Sequence, residues 1–422
     1  MSDVTNGHRS VLVVGGGMSG LSAALEAAEA GFPVYIVEKE PYLGGRVARM
    51  NKYFPKLCPP SCGLEINFRR IKNNALVRFF TMAEVMKISG KPGDLDVTVK
   101  LSPRYVNEKC TACGLCAEAA ETQVPNPFDY GLSTVKAAYL PHEFAFPLRY
   151  VIAPEVIGTA EAEKIRAACP YGAVDLEMEE KIFDLKVGSV VWATGWKPYD
   201  ASKIAYYGAG AFRNVVSNVV MERLASTNGP TQGAIVRLSD GAAVQKVAFV
   251  QCAGSRDENH LPYCSGICCL ASLKQATYVL DQNPDASVTI FYIDMRALGK
   301  YEDFYTKVQA DSRVRFVKGK PGEICEDAQT GQVTVLVEDQ ETGTILKEAF
   351  DLVVLATGMV PSTADDKVPA EVAYDENGFL LPTQPMEGVI PAGCVKRPVD
   401  VASSVQDATA AALKAIQAMV RR

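Results

Sequence analysis

Histidine is scarce in this chain of 422 residues, which has three: His8, His142 and His260. None of them lies at a spacing typical of a metal site or of a catalytic group. The sequence also lacks a recognisable pairing of a nucleophile with a general base. We therefore predict no catalytic acid, base or nucleophile from the chain itself, and expect bound cofactors to supply the chemistry.

A surplus of basic residues and a long apolar run are also missing. Lysine and arginine number 43 against 49 aspartates and glutamates, a net charge of −6 that gives no reason to expect nucleic acid. No apolar run approaches the ~18–20 residues of a membrane span, and the polar first ten residues carry no signal peptide. We expect a cytoplasmic protein with no membrane span, which would need another anchor if it works at a membrane.

Cysteine, in contrast, is plentiful, with twelve residues. In a reducing compartment, clustered cysteines more often bind metal or carry out redox chemistry than form structural disulfides. The length of the chain predicts about two to three domains.

A dinucleotide-binding fingerprint lies near the start of the chain. The apolar run 11–14 predicts a buried strand, and Gly15, Gly17 and Gly20 follow at GxGxxG spacing before an Ala-rich helix. These glycines allow a tight turn and close packing, and the helix N-terminus attracts phosphates. A second strand ends at Glu38, whose carboxylate can accept hydrogen bonds from ribose hydroxyls. Because the unit stands at the extreme N-terminus, we expect FAD rather than NAD.

The strand and glycine turn that ends at Gly195 is repeated at Gly358, which predicts two related domains. A cysteine- and proline-rich stretch interrupts the first of them. The predicted segments are an FAD-binding part (1–102), a ferredoxin-like insertion (103–178), a continuation with linker (179–243), a second Rossmann-like domain (244–356) and a returning FAD-binding part (357–422).

The second Rossmann-like domain lacks its own fingerprint. Where an NAD(P)H site requires GxGxxG, the chain reads CAGSRD from Cys252 to Asp257, with Gly254 as the single glycine. We infer that this domain has lost ordinary nicotinamide-nucleotide binding.

The first cysteine group combines a CxxCxxC motif, Cys110, Cys113 and Cys116, with a distant Cys169 that precedes a proline. This is the ferredoxin arrangement for a [4Fe–4S] cluster. Ala120 stands where a two-cluster ferredoxin has a further cysteine, so we predict one cluster here. A structural zinc site and unpaired core cysteines are the alternatives.

The second cysteine group contains four thiols within eighteen residues: Cys252, Cys264, Cys268 and Cys269. Cys252 follows a strand, and the other three stand at the start of a predicted helix. This density favours a second [4Fe–4S] cluster, and the alternatives are a redox dithiol or buried free thiols.

The remaining cysteines have less specific surroundings. Cys58 and Cys62 lie in LCPPSC, where a redox disulfide or a ligand role near the flavin stays open. We expect Cys325 and Cys394 to be structural. Cys394 stands where flavoproteins of this shape place an aspartate on the ribityl chain, for which a thiol is a weaker partner.

These motifs together resemble the heterodisulfide reductase A-type flavoprotein family over nearly the whole chain. The resemblance is carried by the fingerprint, GGRVARMNKYFP, YVNEKCTACG, QCAGSRDE, YCSGICC and the AGC tail. The segment KYFPKLCPPSCGLEINFRR, the short length and the single-cluster insertion are closer to the flavoprotein subunits of quinone-interacting membrane-bound oxidoreductases of dissimilatory sulfur metabolism.

The resemblance implies an α/β, two-dinucleotide-binding, disulfide-reductase-type flavoprotein with a ferredoxin-like insertion. The FAD contacts that it implies are Gly15, Gly17, Gly20, Glu38, Gly45 and Arg46, to which we add Lys39, Thr194, Gly195 and Gly393. The eight cysteines of the two groups would bind the clusters.

The resemblance also implies two partners in the same complex: a membrane haem subunit, together with a second flavin/iron–sulfur subunit. These partner subunits would hold the chain at the inner face of the cell membrane. Electrons would pass between the menaquinone pool and adenylylsulfate reductase. Three alternatives stay open. These are an electron-bifurcating heterodisulfide reductase A-like protein, a self-contained NAD(P)H-dependent disulfide reductase, and a scaffold that binds FAD structurally.

Overall fold

The computed structural model describes residues 9–54, 57–382 and 388–420. The chain divides into two compact units. The first unit contains the chain up to Trp196, Pro361–Arg397 and the residues from Val401 onwards, and the second contains Lys197–Val360 and Pro398–Asp400.

The α-helices are α1 (Met18–Glu29), α2 (Pro60–Lys72), α3 (Leu115–Ala119), α4 (Ala160–Ala167), α5 (Asn218–Ala225), α6 (Cys268–Gln282), α7 (Tyr301–Gln309) and α8 (Val401–Val420). The strands are β1 (Val11–Val14), β2 (Val34–Glu38), β3 (Val77–Thr81), β4 (Ala83–Lys91), β5 (Asp94–Leu101), β6 (Gln123–Pro125), β7 (Thr134–Lys136), β8 (Ala138–Tyr139), β9 (Val151–Ile152), β10 (Lys181–Val187), β11 (Ser189–Trp192), β12 (Trp196–Pro198), β13 (Val215–Ser217), β14 (Lys246–Ala253), β15 (Ser287–Tyr292), β16 (Val314–Lys318), β17 (Glu323–Glu326), β18 (Val333–Asp339), β19 (Thr344–Phe350), β20 (Leu352–Thr357), β21 (Met359–Pro361) and β22 (Val389–Pro391). Among the described residues, no helix is both long and apolar enough to cross a bilayer.

The first unit is built on a five-stranded parallel sheet in the order β22-β11-β1-β2-β3. Its central strand β1 is the continuous apolar run VLVV, and all four of its residues are buried, as expected of a parallel strand covered on both faces. Helices α1 and α8 cover one face, and the antiparallel sheet β10-β5-β4 covers the other. Because β1 and β11 are parallel neighbours, their carboxyl ends lie together at one edge of this sheet.

The predicted insertion folds as two small antiparallel hairpins, β6-β7 and β8-β9, with α3 and α4. A bridge between Val106 and Val174 joins its two ends. Its small apolar core includes Cys116, Ile152 and Ile165, so one cysteine of the first group belongs to the core itself.

The second unit repeats the arrangement with a parallel sheet, β13-β20-β14-β15-β16, and an antiparallel sheet, β17-β18-β19. It begins at Lys197 rather than at the predicted residue 244. The reason is that β13 forms an edge of its sheet, and Tyr199, Ile204 and Tyr207 pack into its core. Two parallel sheets with helical cover confirm the predicted α/β, Rossmann-type fold class.

Candidate functional site

The glycine turn between β1 and α1 is packed so tightly that side chains are excluded at two positions. Gly15 has φ +103°, and a Cβ there would lie 2.5 Å from the carbonyl oxygen of Ala193. A Cβ on Gly20 would overlap the carbonyl of Gly15. The strand, the turn and the helix are therefore as close as a dinucleotide fingerprint requires.

The N-terminus of α1 has no side-chain cap. Its N-cap is Gly17, which has no side chain to compete for the unpaired N–H groups of the first turn. Gly44 donates its N–H to the carbonyl of Gly16 at 2.8 Å, and a Cβ on Gly45 would lie 2.8 Å from the Cα of Gly17. The Gly44-Gly45 turn therefore lies directly on the fingerprint, and a phosphate at this end would meet backbone donors and a positive dipole.

Glu38 is held against the fingerprint by backbone donors. Its Oε2 accepts from the N–H of Gly16 at 2.5 Å and its Oε1 accepts from the N–H of Glu40 at 2.8 Å. Burial raises the pKa of Glu38 to about 7, although these hydrogen bonds act to lower it. Lys39 faces outward instead, where it pairs with Glu84 at 3.3 Å and its side chain is 69% exposed.

Arg46 is fixed by contacts from two other segments of the first unit. Its guanidinium lies 5.0 Å from the centre of the Trp196 ring and its Nε donates to the Trp196 carbonyl. Its Nη1 donates to the hydroxyl of Tyr130 at 3.4 Å. Burial lowers the pKa of Arg46. Tyr130 comes from the insertion, and no motif in the sequence singled it out.

The turn at Thr194 and Gly195 also lies at this edge. A Cβ on Gly15 would lie 3.0 Å from the Cα of Thr194. The Thr194 hydroxyl hydrogen-bonds that of Ser362 at 2.6 Å, and the Ser362 N–H donates to the carbonyl of Gly195 at 3.1 Å. Ser362, which the sequence analysis missed, therefore ties the returning segment to this turn.

Gly393 brings the last segment to the start of α1. It has φ +69°, and a Cβ there would overlap the hydroxyl of Ser19. Its N–H donates to Asp407 Oδ2 at 2.8 Å, and Asp407 also pairs with Lys396. The next residue, Cys394, is buried. The first unit thus gathers the fingerprint, Glu38, the Gly45–Arg46 turn and the Gly393 turn around one helix end, a backbone cradle that fits FAD.

The first cysteine group surrounds a small cavity of about 20 Å³. Its wall contains the four cysteine side chains Cys110, Cys113, Cys116 and Cys169. Gly114, with φ +91°, caps α3 and turns the chain between the cysteines. The structure therefore brings the distant Cys169 to the CxxCxxC motif.

The thiols of this group differ in their surroundings. Burial raises the pKa of Cys116 to about 11, and Cys110 and Cys113 add to the effect. Burial acts to raise the pKa of Cys169 as well, but hydrogen bonds from backbone N–H groups, including that of Ala173 at 3.3 Å, outweigh it and lower the pKa. Backbone N–H donors at sulfur stabilise a thiolate, which is the form that binds iron.

The second cysteine group gathers at the carboxyl end of β14 and the start of α6. Cys252 has φ +56°, and Cys268 and Cys269 are the first residues of α6. Burial raises the pKa of Cys252 to about 11, and Cys269 and Cys264 add to it. Burial also raises the pKa of Cys268, with contributions from the other three thiols. All four sulfurs therefore lie within electrostatic reach of one another.

Within residues 9–54, 57–382 and 388–420, no three or more His, Cys, Asp or Glu side chains are close enough to hold a single metal ion.

The turn after β14 is covered by protein where a nucleotide would lie in a Rossmann domain. A Cβ on Gly254 would overlap the ring of Tyr199. The Tyr199 hydroxyl hydrogen-bonds His260 Nδ1 at 2.7 Å, and the Leu261 N–H donates to the carbonyl of Gly254 at 2.9 Å. Tyr199 and the loop that carries His260 thus close this turn.

Cys58 and Cys62 belong to neither group. Cys58 forms a β-bridge with Tyr53, and burial, together with a hydrogen bond to Cys58, raises the pKa of Tyr53 to about 12. Cys62 lies in the first turn of α2, is exposed, and forms no disulfide with Cys58. Pro55 and Lys56, which lie between Tyr53 and Cys58 in the sequence, are outside the described residues.

Three charged residues beside the second cysteine group were also missed: Arg256, Asp294 and Arg296. Arg256 and Arg296 both form ion pairs with Asp294. The sequence could have pointed to Arg256, which stands in CAGSRD beside Cys252. It gave no signal for Asp294 and Arg296, which come from a loop far along the chain.

A family model described as FAD dependent oxidoreductase matches residues 10–55. The first unit's fingerprint and Glu38 fall in that range. Solved structures with a similar fold include thioredoxin reductase from Lactococcus lactis, with a TM-score of 0.54 at 16% identity over 98% of this chain and 100% of that one. Another is thioredoxin reductase from T. acidophilum, with a TM-score of 0.53 at 17% identity over 97% of both chains. These likenesses confirm the Rossmann-type fold expected of flavin-dependent disulfide reductases.

Relatives found by sequence share a higher identity with this chain than these solved structures do. One of two A-type iron–sulfur subunits of CoB–CoM heterodisulfide reductase in Methanopyrus kandleri is 37% identical over 99% of this chain and 65% of its own length. Its counterpart in Methanocaldococcus jannaschii is 38% identical over 96% of this chain and 63% of its own. The chain thus spans slightly less than two thirds of these relatives. Its homologues are FAD-dependent oxidoreductases, as expected, and over nearly its whole length the chain is a homologue of the A-type subunits of heterodisulfide reductase.

Proposed function

We propose that this chain is a heterodisulfide reductase A-like electron-transfer subunit that holds FAD and two [4Fe–4S] clusters. The observation that carries the proposal is the cavity lined by Cys110, Cys113, Cys116 and Cys169 in the same unit as the flavin cradle. Four thiolates around one cavity are the donor set of a [4Fe–4S] cluster. The named iron–sulfur subunits among the relatives support the same assignment.

The chain's own residues would position the flavin. The N-terminus of α1 would hold the diphosphate, and Glu38 would accept from the ribose, as the fold of such sites requires. Arg46, fixed by Trp196 and Tyr130, would place a positive charge beside the cofactor. Bound flavin stores two electrons and can pass them on one at a time, which matches the single electron that an iron–sulfur cluster accepts. The protein supplies orientation and electrostatics.

The second cluster would be held by Cys252, Cys264, Cys268 and Cys269. Burial raises the pKa values of Cys252 and Cys268, which favours their protonated thiol forms. Cluster assembly must therefore displace these protons, as metal binding by cysteine does in general. The covered turn at Gly254 supports an electron route that does not use a nicotinamide nucleotide in this unit.

A second candidate is the flavoprotein subunit of a quinone-interacting membrane complex. It would work with a membrane haem subunit, together with a second flavin/iron–sulfur subunit, between menaquinone and adenylylsulfate reductase. The observation in its favour is the single-cluster insertion. The buried Ala120 stands there where a two-cluster ferredoxin has a further cysteine. The names of the relatives favour the heterodisulfide reductase A-like function.

The test is anaerobic purification followed by analysis of FAD, iron and the EPR spectrum of the reduced protein. We expect one FAD and about eight irons per chain. Cys113→Ala and Cys264→Ala should each remove about four irons, and the exposed Cys325→Ala should remove none. Zinc in place of iron, or equal loss of iron in all three variants, would contradict the proposal.

Partner subunits and electron donors need a separate experiment. Affinity purification of the full-length protein from its native cells, followed by mass spectrometry and haem staining, distinguishes the two candidates. A haem-containing membrane partner supports the quinone-interacting complex, and haem-free partners that reduce a heterodisulfide support the other. Rapid bleaching of the flavin by NADH or NADPH would instead support a self-contained disulfide reductase.

A further inference from the structure

Two arginines lie beside the second cysteine group, and one aspartate holds both. Arg256 Nη1 forms an ion pair with Asp294 Oδ1, and Arg296 Nη2 lies 3.4 Å from Asp294 Oδ2. Arg256 follows β14 and Asp294 follows β15, and these strands are parallel neighbours. Because the carboxyl ends of parallel neighbours meet at the same edge of a sheet, the sheet itself positions this Arg–Asp–Arg triad.

The triad (Arg256, Asp294 and Arg296) lies beside the cysteines, because the Cys269 thiol donates to the backbone carbonyl of Asp294 at 3.8 Å. Arg256 acts to lower the pKa of Cys252, and Cys264 acts to raise the pKa of Arg296. Both guanidinium groups therefore lie within electrostatic reach of the second cysteine group.

We propose that Arg256 and Arg296 are positioning residues that raise the reduction potential of the cluster bound by the second cysteine group. The inference rests on the proposed function, because it requires a cluster at those cysteines. Reduction adds one electron to the [4Fe–4S]²⁺ centre and gives [4Fe–4S]⁺. With four thiolates, the total charge goes from −2 to −3, with no proton transfer and no bond broken.

The direction of the effect follows from this charge change. A fixed positive charge stabilises the −3 state more than the −2 state. The Arg256 side chain is 25% exposed and that of Arg296 is 45% exposed. Because water screens exposed charges, Arg256 is expected to have the larger effect.

The experiment is an anaerobic redox titration of the full-length protein, followed by EPR, in chains that carry Cys113→Ala so that the second cluster gives the iron–sulfur signal. Arg256→Gln should lower the equilibrium constant for reduction about tenfold, which is 59 mV for one electron. Arg296→Gln should shift it in the same direction by less. Arg256→Lys, which keeps the charge, should retain most of the potential.

The matched control is Arg315→Gln, since Arg315 pairs with Glu348 on the same unit and should leave the potential unchanged. A purely structural role would lower the iron content of the arginine variants without moving the potential of the cluster that remains. Full iron content with an unchanged potential in both glutamine variants would overturn the inference alone. If the Cys113→Ala chain that keeps Arg256 and Arg296 gives no cluster EPR signal, the proposed function is overturned, and this inference with it.

Discussion

Gly17 and Gly45 touch backbone to backbone: a Cβ on Gly45 would lie 2.8 Å from the Cα of Gly17. Gly17 is the N-cap of α1, and Gly45 begins the turn that carries Arg46. The contact therefore fixes the loop that would cover the cofactor to the helix end that would bind its phosphates. It connects two motifs that are separate in the sequence.

Gly45→Ala should reduce FAD content strongly. Gly45 has φ +57° and no room for a Cβ, so alanine must displace the turn and add strain of about 1–3 kcal/mol. Gly31→Ala is the control, since Gly31 also has positive φ, +92°, but has nothing within 4 Å of its Cβ position. The measurement is the flavin-to-protein ratio of purified protein, and equal FAD content in the two variants would count against the assigned cradle.

Glu38 should make the stability of the FAD-free protein depend on pH. Its pKa is raised from 4.5 to about 7 by burial, so the folded state binds the proton more tightly than the unfolded state. The sign follows: stability is highest below pH 4.5, falls as the pH rises, and has lost roughly 3 kcal/mol from this group above pH 7. Glu38→Gln should remove that part of the slope.

Urea unfolding of the two apoproteins at a series of pH values between 4.5 and 7.5 would measure the difference. The other titrating groups are common to both proteins and cancel in the comparison. Parallel stability profiles would show that Glu38 keeps an ordinary pKa in the folded chain.

Cys58→Ser with Cys62→Ser should leave the iron content unchanged. Neither residue lines the cavity of the first group, and Cys58 pairs with Tyr53 instead. Iron analysis and the EPR spectrum of the double variant provide the measurement. A loss of about four irons would show that one of these cysteines is a cluster ligand.

Lys274→Met should destabilise the second unit by about 3–5 kcal/mol. Lys274 pairs with Glu222 at 2.8 Å, and their side chains are 6% and 7% exposed, so the variant leaves a buried carboxylate without its cation. Adding Glu222→Leu should restore much of the stability, because removing both charges of a buried pair costs little. Denaturant unfolding provides the measurement.

The exposed pair of Lys164 and Glu121 is the control for this cycle. Its side chains are 61% and 74% exposed, and Lys164→Met should change stability by less than about 1 kcal/mol. Equal losses of stability in Lys274→Met and Lys164→Met would show that burial is not the cause of the expected loss in the Lys274 variant.

Motifs that act over a few residues could be read directly from the sequence. The spacing of Gly15, Gly17 and Gly20 predicted the turn and the helix start, because a tight turn between strand and helix needs glycine whatever the rest of the fold is. The CxxCxxC spacing likewise predicted three closely spaced thiolates. The apolar run of β1 predicted a buried strand, since a parallel strand covered on both faces has little polar character.

The tertiary structure decided which distant segments meet. It placed Gly393 against Ser19, fixed Arg46 with Trp196 and Tyr130, and filled the turn at Gly254 with Tyr199. It also brought Asp294 and Arg296 to the second cysteine group. Such contacts depend on the order of strands in a sheet and on the loops at its edge, and local spacing contains neither. The sequence by itself determined the kinds of binding groups that this chain carries, and the packing within each unit decided which charged and aromatic neighbours surround them.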